Sequence, residues 1–448
     1  MKKKIKITKN IYLRLLNIHD INENYLNWFK DNEIKNYIEF HRFKSLKQLK
    51  KYFLEIKKKK YLLFYGIFYK NLHIGNIKFE NIYDNSDKAG FGILIGNKKF
   101  RNKGYGKIII SFALEYIINK YKIKEFIISA NEKNLLAKKL YQNLGFVVFK
   151  KKDNKIHFKL KTLYSKFILG SANFNNTYGI NHSNLQKFQI KKIFKILKQH
   201  NIEFIDTATN YGNSEKIIGR YAYKNLKIIS KFPSISNNIS VEKNINKMIL
   251  NSLSNTRQNR LYAYLFHEPK DIFSKNGKKI INHLKKFKKN KKINKIGVSV
   301  YNKNELNRIL KIFTPDLVQL PVSLINQNFI EKNYLKKLKK KNIELHARSI
   351  FLQGLLLKKN IKHLNNRFYN IDNKLRIADN FCKKIKIKRL NLMLNFVSNI
   401  NEIDKIVVGA DSSKDLREIF KSFKILQKTK NLSQFSLKNE KITDPRNW

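Results

Sequence analysis

EFIDTATNYGNSE, residues 203–215, sets a short apolar run against an abrupt polar turn. Phe204 and Ile205 lead into Asp206, and Tyr211 follows in the polar turn. That is the signature of one strand–turn–helix unit, and the fold depends on whether the unit repeats. It does. Short apolar runs recur at 167–170, 204–206, 228–231, 263–267, 295–299, 317–321, 344–349 and 405–409. Longer amphipathic stretches at 188–199, 280–289, 303–313 and 415–423 lie between them. Eight strands alternating with helices over residues 164–448 predict a parallel (β/α)8 TIM barrel, which usually takes about 250 residues.

In such a barrel the C-terminal strand ends meet at one rim. Asp206, Lys231 and His267 close the second, third and fourth strands, and Tyr211 follows the second. Their chemistry is complementary. A phenol with an ordinary pKa of about 10 is a poor proton donor near neutral pH. A neighbouring ammonium favours the phenolate and sharpens the acid, while a carboxylate holds that lysine charged and oriented. A histidine can bond a substrate carbonyl and aim it. Each residue alone also reads as a cap, a packing ring, a snorkelling lysine or a structural histidine. Together on successive strand ends they point to a site.

At 448 residues the chain exceeds what one core usually serves, and 42% apolar content supports two domains. The 94 Lys and Arg against 32 Asp and Glu give a formal charge of +62, which raises nucleic acid or an acidic membrane as partner. The excess lysine runs the full length, however, so solvated faces account for it and nucleic acid is not expected. Cys382 is the only cysteine, which excludes an intrachain disulfide and a cysteine-based zinc site. No metal is expected. The basic N-terminus lacks the apolar core of a signal peptide and no apolar run approaches a membrane span, so the expected location is the cytoplasm.

Residues 11–158 follow a different, mixed α/β pattern. Strands are expected at 11–16, 62–69, 74–81, 91–95, 126–130 and 146–150, and helices at 21–30, 46–58, 108–120 and 135–144. Within this region KKFRNKGYGKIII, residues 98–110, places Gly104 and Gly106 among cations between a strand and a helix. The G-x-G-x-x-G dinucleotide pattern fails because position 109 is Ile, and the P-loop pattern fails because Lys107 is followed by Ile108. What remains is a turn whose glycines let successive amides point one way, backed by a helix N-terminus. A pyrophosphate is its natural guest.

The second half resembles the aldo-keto reductases from residue 167 to about 423, on ILGSANF, EFIDTATNYGNSE, IISKFP, LFHEP, IGVSVYN, LVQLPVSLINQ, ARSIFLQGLLL and VVGADSSKDL in order. The resemblance implies hydride transfer from a nicotinamide dinucleotide to an aldehyde or ketone. By it Tyr211 is the proton donor, Lys231 and Asp206 tune it, His267 orients the carbonyl, and Ser299 and Gln319 meet the nicotinamide carboxamide. Val300 stands where the family commonly has Asn. The cofactor phosphates are expected at 409–413, with Gly409, Ser412 and Ser413 at a helix N-terminus. Asp411 there opposes a 2′-phosphate, while Lys414 and Arg417 offset it; NADPH is the expected cofactor and NADH the alternative. Ser412 with Asp415 also reads as a capping box.

The first half resembles the GNAT N-acetyltransferases from residue 11 to about 158. Arg101, Gly104, Gly106 and Lys107 match their R/Q-x-x-G-x-G/A loop for the acetyl-CoA pyrophosphate, and ANEKNLLAKKLYQNLGF supplies a second element. By that resemblance Asn134 contacts CoA and Tyr141 protonates the departing thiolate. Glu80 is the candidate general base, and Glu39 and His41 are candidates for the acceptor pocket. The expected organisation is an acetyltransferase domain over 1–160 followed by a reductase barrel over 164–448. The nearest branch holds ribosomal-protein and amino-sugar-nucleotide acetyltransferases, so nucleotide sugars of surface-sugar synthesis are the expected substrates. Two alternatives stand beside this reading: a protein N-terminal or lysine acetyltransferase with an unrelated reductase, and a basic nucleic-acid binder on degenerate enzyme folds.

Overall fold

A computed structural model describes residues 4–35, 43–82, 87–174, 185–235, 240–359, 361, 365, 368–422, 432–438 and 440–447. The chain divides into two compact units, Met1–Ser165 and, in the main, Lys166–Phe423 with Thr429–Trp448. Among the described residues no helix is long and apolar enough to cross a membrane.

The first unit is an eight-stranded sheet of β1 (Ile5–Lys6), β2 (Ile11–Leu15), β3 (Leu62–Tyr69), β4 (Leu72–Glu80), β5 (Lys88–Ile95), β6 (Glu125–Asn131), β7 (Val147–Lys152) and β8 (Lys155–Lys161). Its spatial order is β1-β2-β3-β4-β5-β6-β8-β7. The sheet therefore does not close with the strand near 150, as the sequence suggests. β8 follows it and inserts between β6 and β7, burying Ile156, Phe158 and Leu160 on one face.

Only β5 and β6 run parallel, and their pairing is brief: Lys88 to Glu125, Ala89 to Phe126, Gly90 to Ile127. β5 continues to Ile95 paired to β4 alone, so β5 and β6 part after Gly90. The crossover between them is the helix Tyr105–Tyr121, which packs Ile109, Ile110, Ala113, Leu114, Ile117 and Ile118 inward at helical spacing.

Leu16, Ile21, Tyr25, Leu26, Trp28, Leu49 and Phe53 form a separate cluster in this unit. Gly96 is required there. A Cβ built on it would fall 1.9 Å from Cδ2 of Trp28. Gly96→Ala should cost the first unit about 1–3 kcal/mol through overpacking. In differential scanning calorimetry its transition should move down while the barrel's stays in place; an unshifted transition would show that Trp28 moves aside freely.

The second unit is a closed parallel barrel of β9 (Phe167–Gly170), β10 (Phe204–Asp206), β11 (Lys227–Phe232), β12 (Leu261–Phe266), β13 (Ile293–Ser299), β14 (Leu317–Pro321), β15 (Glu344–Arg348) and β16 (Lys405–Val408), with β9 pairing both β10 and β16. Ile168, Phe204, Ile229, Ala263, Leu265 and Leu317 pack in its interior. Two helices that the sequence reading omits, Tyr369–Lys384 and Arg389–Ser398, lie between β15 and β16. Cys382 is buried on the first of them, where burial pushes its thiol up to about 11.

Candidate active sites

Side chains two positions apart on a strand share a face. Phe204, Ile229, Leu265 and Leu317 lie in the barrel core, so Asp206, Lys231, His267 and Gln319, each two residues further on, point inward at its C-terminal end. All four line one cleft with Tyr211 and Ser299.

Within 203–215 the side chains of Thr207, Thr209, Ser214 and Glu215 hold the turn carrying Tyr211. Thr207 Oγ1 donates to Ser214 Oγ at 3.1 Å, Ser214 Oγ lies 2.7 Å from Ser171 Oγ, and Ser171 Oγ donates to the Asp206 carbonyl at 2.9 Å. Thr209 bonds the Lys231 carbonyl through both its amide and its hydroxyl. Glu215, buried at the helix start, accepts from Ser230 at 2.6 Å. Gly212 takes a left-handed φ of 57° just after Tyr211.

Asp206 is the hub. Lys231 Nζ donates to its Oδ1 at 2.5 Å and to the Thr207 carbonyl at 2.8 Å, and Gln319 Nε2 donates to its Oδ2 at 2.5 Å. Because a carboxylate only accepts, the Gln319 amide is oriented with its Oε1 away from Asp206, and that oxygen is buried without a partner. Lys231 Nζ stands 5.2 Å from the Tyr211 ring centroid, and the rings of Tyr211 and His267 meet edge to face at 5.8 Å.

Burial and the Asp206 carboxylate raise the Tyr211 phenol above its ordinary value, with Arg348 pulling the other way. Lys231 donates to Asp206 and to the Thr207 carbonyl, as the paired reading of lysine and carboxylate expects of the first. The phenol is therefore a protonated, directed donor. Burial, reinforced by Lys231, lowers His267 to about 4, so its imidazole is neutral near physiological pH.

A pH consequence follows for His267. Unfolded, the imidazole titrates near 6.5; folded, near 4. Between those values the unfolded chain binds the extra proton, so this contribution to stability is fully present above 6.5 and is lost as pH falls through 4. His267→Gln should flatten the acid-side fall in melting temperature. An NMR titration of the imidazole should show a midpoint near 4, and one near 6.5 would contradict the half-buried placement close to Lys231.

The other predicted barrel residues separate. Gly409 lines the cleft, whereas Ser412 and Ser413 do not. Ser412 Oγ accepts from the Asp415 amide at 3.1 Å and pairs with its carboxylate at 2.8 Å, and the Ser413 amide donates to Gln189. These bonds are those of the capping reading. Asn173 and Arg348, which sequence reasoning did not single out, also line the cleft.

In the first unit, Gly104 caps the helix Tyr105–Tyr121 with a φ of 79°. The first backbone bond of that helix runs from Ile108 to the Gly104 carbonyl, so the amides of Tyr105, Gly106 and Lys107 precede it. A Cβ on Gly104 would meet no protein atom within 4 Å, and one on Gly106 only Leu140 Cδ2 at 3.8 Å. Both glycines thus leave an amide cradle accessible at a helix N-terminus, which fits a pyrophosphate.

Arg101 commits four of its five guanidinium hydrogens to protein acceptors. Its guanidinium is held by Asp31 at 2.9 Å, Glu33 at 2.8 Å and the carbonyls of Ile95 and Gly96. It thereby braces the loop. Asn134 caps the helix Leu135–Asn143 by accepting from the Ala137 amide at 2.9 Å, leaving its amino group.

Tyr141 is buried among Phe91, Phe146 and Phe158, which raises its phenol above the ordinary value and keeps it protonated. Glu80 pairs in register with Gly90, the last residue of β5 bonded to β6, and accepts from Lys78 at 2.6 Å. Glu80 and Tyr141, which contacts Phe91 next to Gly90, thus flank the point where β5 and β6 part. Glu39 and His41 lie outside the described residues.

Comparison with known families follows this division. Residues 166–439 match the model described as the aldo/keto reductase family, and residues 10–147 match that of the acetyltransferase (GNAT) domain. None of the curated proteins compared matches the chain. Among solved structures, an aldo-keto reductase of Pseudomonas aeruginosa is 15% identical with a TM-score of 0.43, covering 59% of this chain and 90% of its own. A thermostable aldo-keto reductase solved with epalrestat is 17% identical with a TM-score of 0.45, covering 57% and 88%. A ribosomal L7/L12 α-N-protein acetyltransferase solved with coenzyme A is 13% identical with a TM-score of 0.33, covering 36% and 98%. The family models carry the assignment: the chain belongs to the aldo/keto reductase family and carries a GNAT acetyltransferase domain before the barrel in its sequence.

Proposed function

We propose that the chain is a bifunctional enzyme that N-acetylates an amino-sugar nucleotide with acetyl-CoA and reduces an aldehyde or ketone with NAD(P)H. The observation that carries the reading is the presence of two independently built sites. One is the inward file of Asp206, Lys231, His267 and Gln319 beneath Tyr211; the other is the Gly104 cradle beyond the parting of β5 and β6.

In the barrel, NAD(P)H supplies the hydride. Tyr211 and neutral His267 bond the carbonyl oxygen, and Tyr211 donates the proton that the reduced oxygen takes up. Asp206 and Lys231 hold each other and fix the floor under the phenol. The orphan Gln319 Oε1 suits the carboxamide amino group of the cofactor. Asp411, Asp415 and Glu418 line the cleft while Lys414 and Arg417 do not, which favours a ribose hydroxyl, and hence NADH, over a 2′-phosphate.

In the first unit acetyl-CoA supplies the acetyl group. Glu80 takes the proton from the attacking amine, and protonated Tyr141 donates to the leaving sulfur. A sugar bearing an amine and an aldehyde or keto group is a small-molecule class on which both reactions act, which supports amino-sugar nucleotides as acceptors. The test is release of free CoA by the purified chain with a panel of UDP-linked amino sugars, beside peptides with free N-termini and lysines. Release with sugars and none with peptides is expected; the reverse would replace the acceptor by a protein amine.

A further inference from the structure

Arg348 ends β15 two residues after His346, a fully buried barrel residue, and so joins the inward file at the rim. It lines the cleft that holds Tyr211 and His267, and its charge acts on both. Its guanidinium lies 4.1 Å from the centroid of the Tyr301 ring, with one nitrogen donating to the Val300 carbonyl at 3.0 Å and another to Ser349 Oγ at 3.1 Å. Both acceptors are neutral, and Nε is buried without a partner.

Several other cations of this chain hold a carboxylate instead. Arg14 holds Asp20, Arg101 holds Asp31, Arg389 holds Asp379, and Lys231 holds Asp206. Arg446, which meets the same Tyr301 ring at 3.4 Å, holds Asp444. Among the described residues no ion pair involves Arg348. A guanidinium fixed by an aromatic face and a carbonyl, short of a carboxylate and set in a catalytic cleft, is arranged to receive an oxyanion from outside the chain.

Resting on the reductase reading above, we propose that the barrel acts on carbonyl compounds that carry an anionic group, carboxylate or phosphate, and that Arg348 receives that group. The anion and the reacting carbonyl share one cleft, so Arg348 determines specificity and orients the substrate without exchanging a proton.

The probes are para-carboxybenzaldehyde and its neutral methyl ester, methyl para-formylbenzoate, reduced by the full chain. The wild type should prefer the carboxylate in kcat/KM. Arg348→Met should reduce that preference roughly 10- to 100-fold, mostly through KM, as expected for losing a charge-assisted contact. Arg348→Lys should restore part of it. Dissociation constants for NADH and NADPH, read by quenching of protein fluorescence, separate the other source of an oxyanion. If Arg348→Met weakens cofactor binding and leaves the preference intact, the anion belongs to the cofactor and the proposal falls. Equal losses on both aldehydes would make Arg348 a structural support and also overturn it. Reduction of neither aldehyde by the wild type would remove the reductase reading itself, and the proposal with it.

Discussion

Tyr211→Phe should lower kcat/KM for carbonyl reduction by roughly 10²- to 10⁴-fold, the usual contribution of a positioned proton donor. The substitution removes one oxygen and little else. The ring keeps its edge-to-face contact with His267, and the bonds joining Lys231, Gln319 and Asp206 do not pass through the phenol. The loss should therefore appear in kcat, with NAD(P)H affinity by fluorescence unchanged. Release of CoA by the acetyltransferase domain should persist, because that chemistry is assigned to residues of the other unit. Loss of both activities in a folded protein would contradict two separate sites.

Gly104→Val should abolish measurable acetyl-CoA binding in titration calorimetry and leave carbonyl reduction intact. Two effects act together. The φ of 79° is one that a β-branched residue adopts only under strain, worth about 1–3 kcal/mol. The added methyls would also stand over the amides of Tyr105, Gly106 and Lys107 that the cradle offers. No protein atom lies within 4 Å of the new Cβ, so packing should survive and a binding defect can be told from unfolding. Gly104→Ala provides a graded control with an intermediate loss. Unchanged affinity in the valine variant would place the pyrophosphate elsewhere.

The barrel is legible in the sequence because each strand is a short apolar run bounded by an amphipathic helix. The rim is legible because Asp206, Lys231 and His267 break those runs at the inward parity. Less is legible where the pattern is diluted by lysine. β8 reads KIHFKLK, and its buried Ile156, Phe158 and Leu160 alternate with residues that resemble a surface turn.

The site chemistry is misread where long-range partners decide it. Sequence places Lys231 and Asp206 together beside Tyr211, but not the Thr207 carbonyl that also takes the ammonium. It shows Arg101 beside two glycines, yet not Asp31, 70 positions away, which takes its guanidinium. Arg348 stands in the quoted ARSIFLQGLLL, and the parity it shares with His346 already places it on the inward face. Its lack of a carboxylate appears only once the barrel is assembled.

The central claim is that one chain holds two cofactor sites serving two reactions. Titration of the purified chain with acetyl-CoA, before and after saturation with NADH, tests it most directly. The account predicts one equivalent of each cofactor with neither displacing the other. Mutual displacement, or failure of either cofactor to bind, would contradict it.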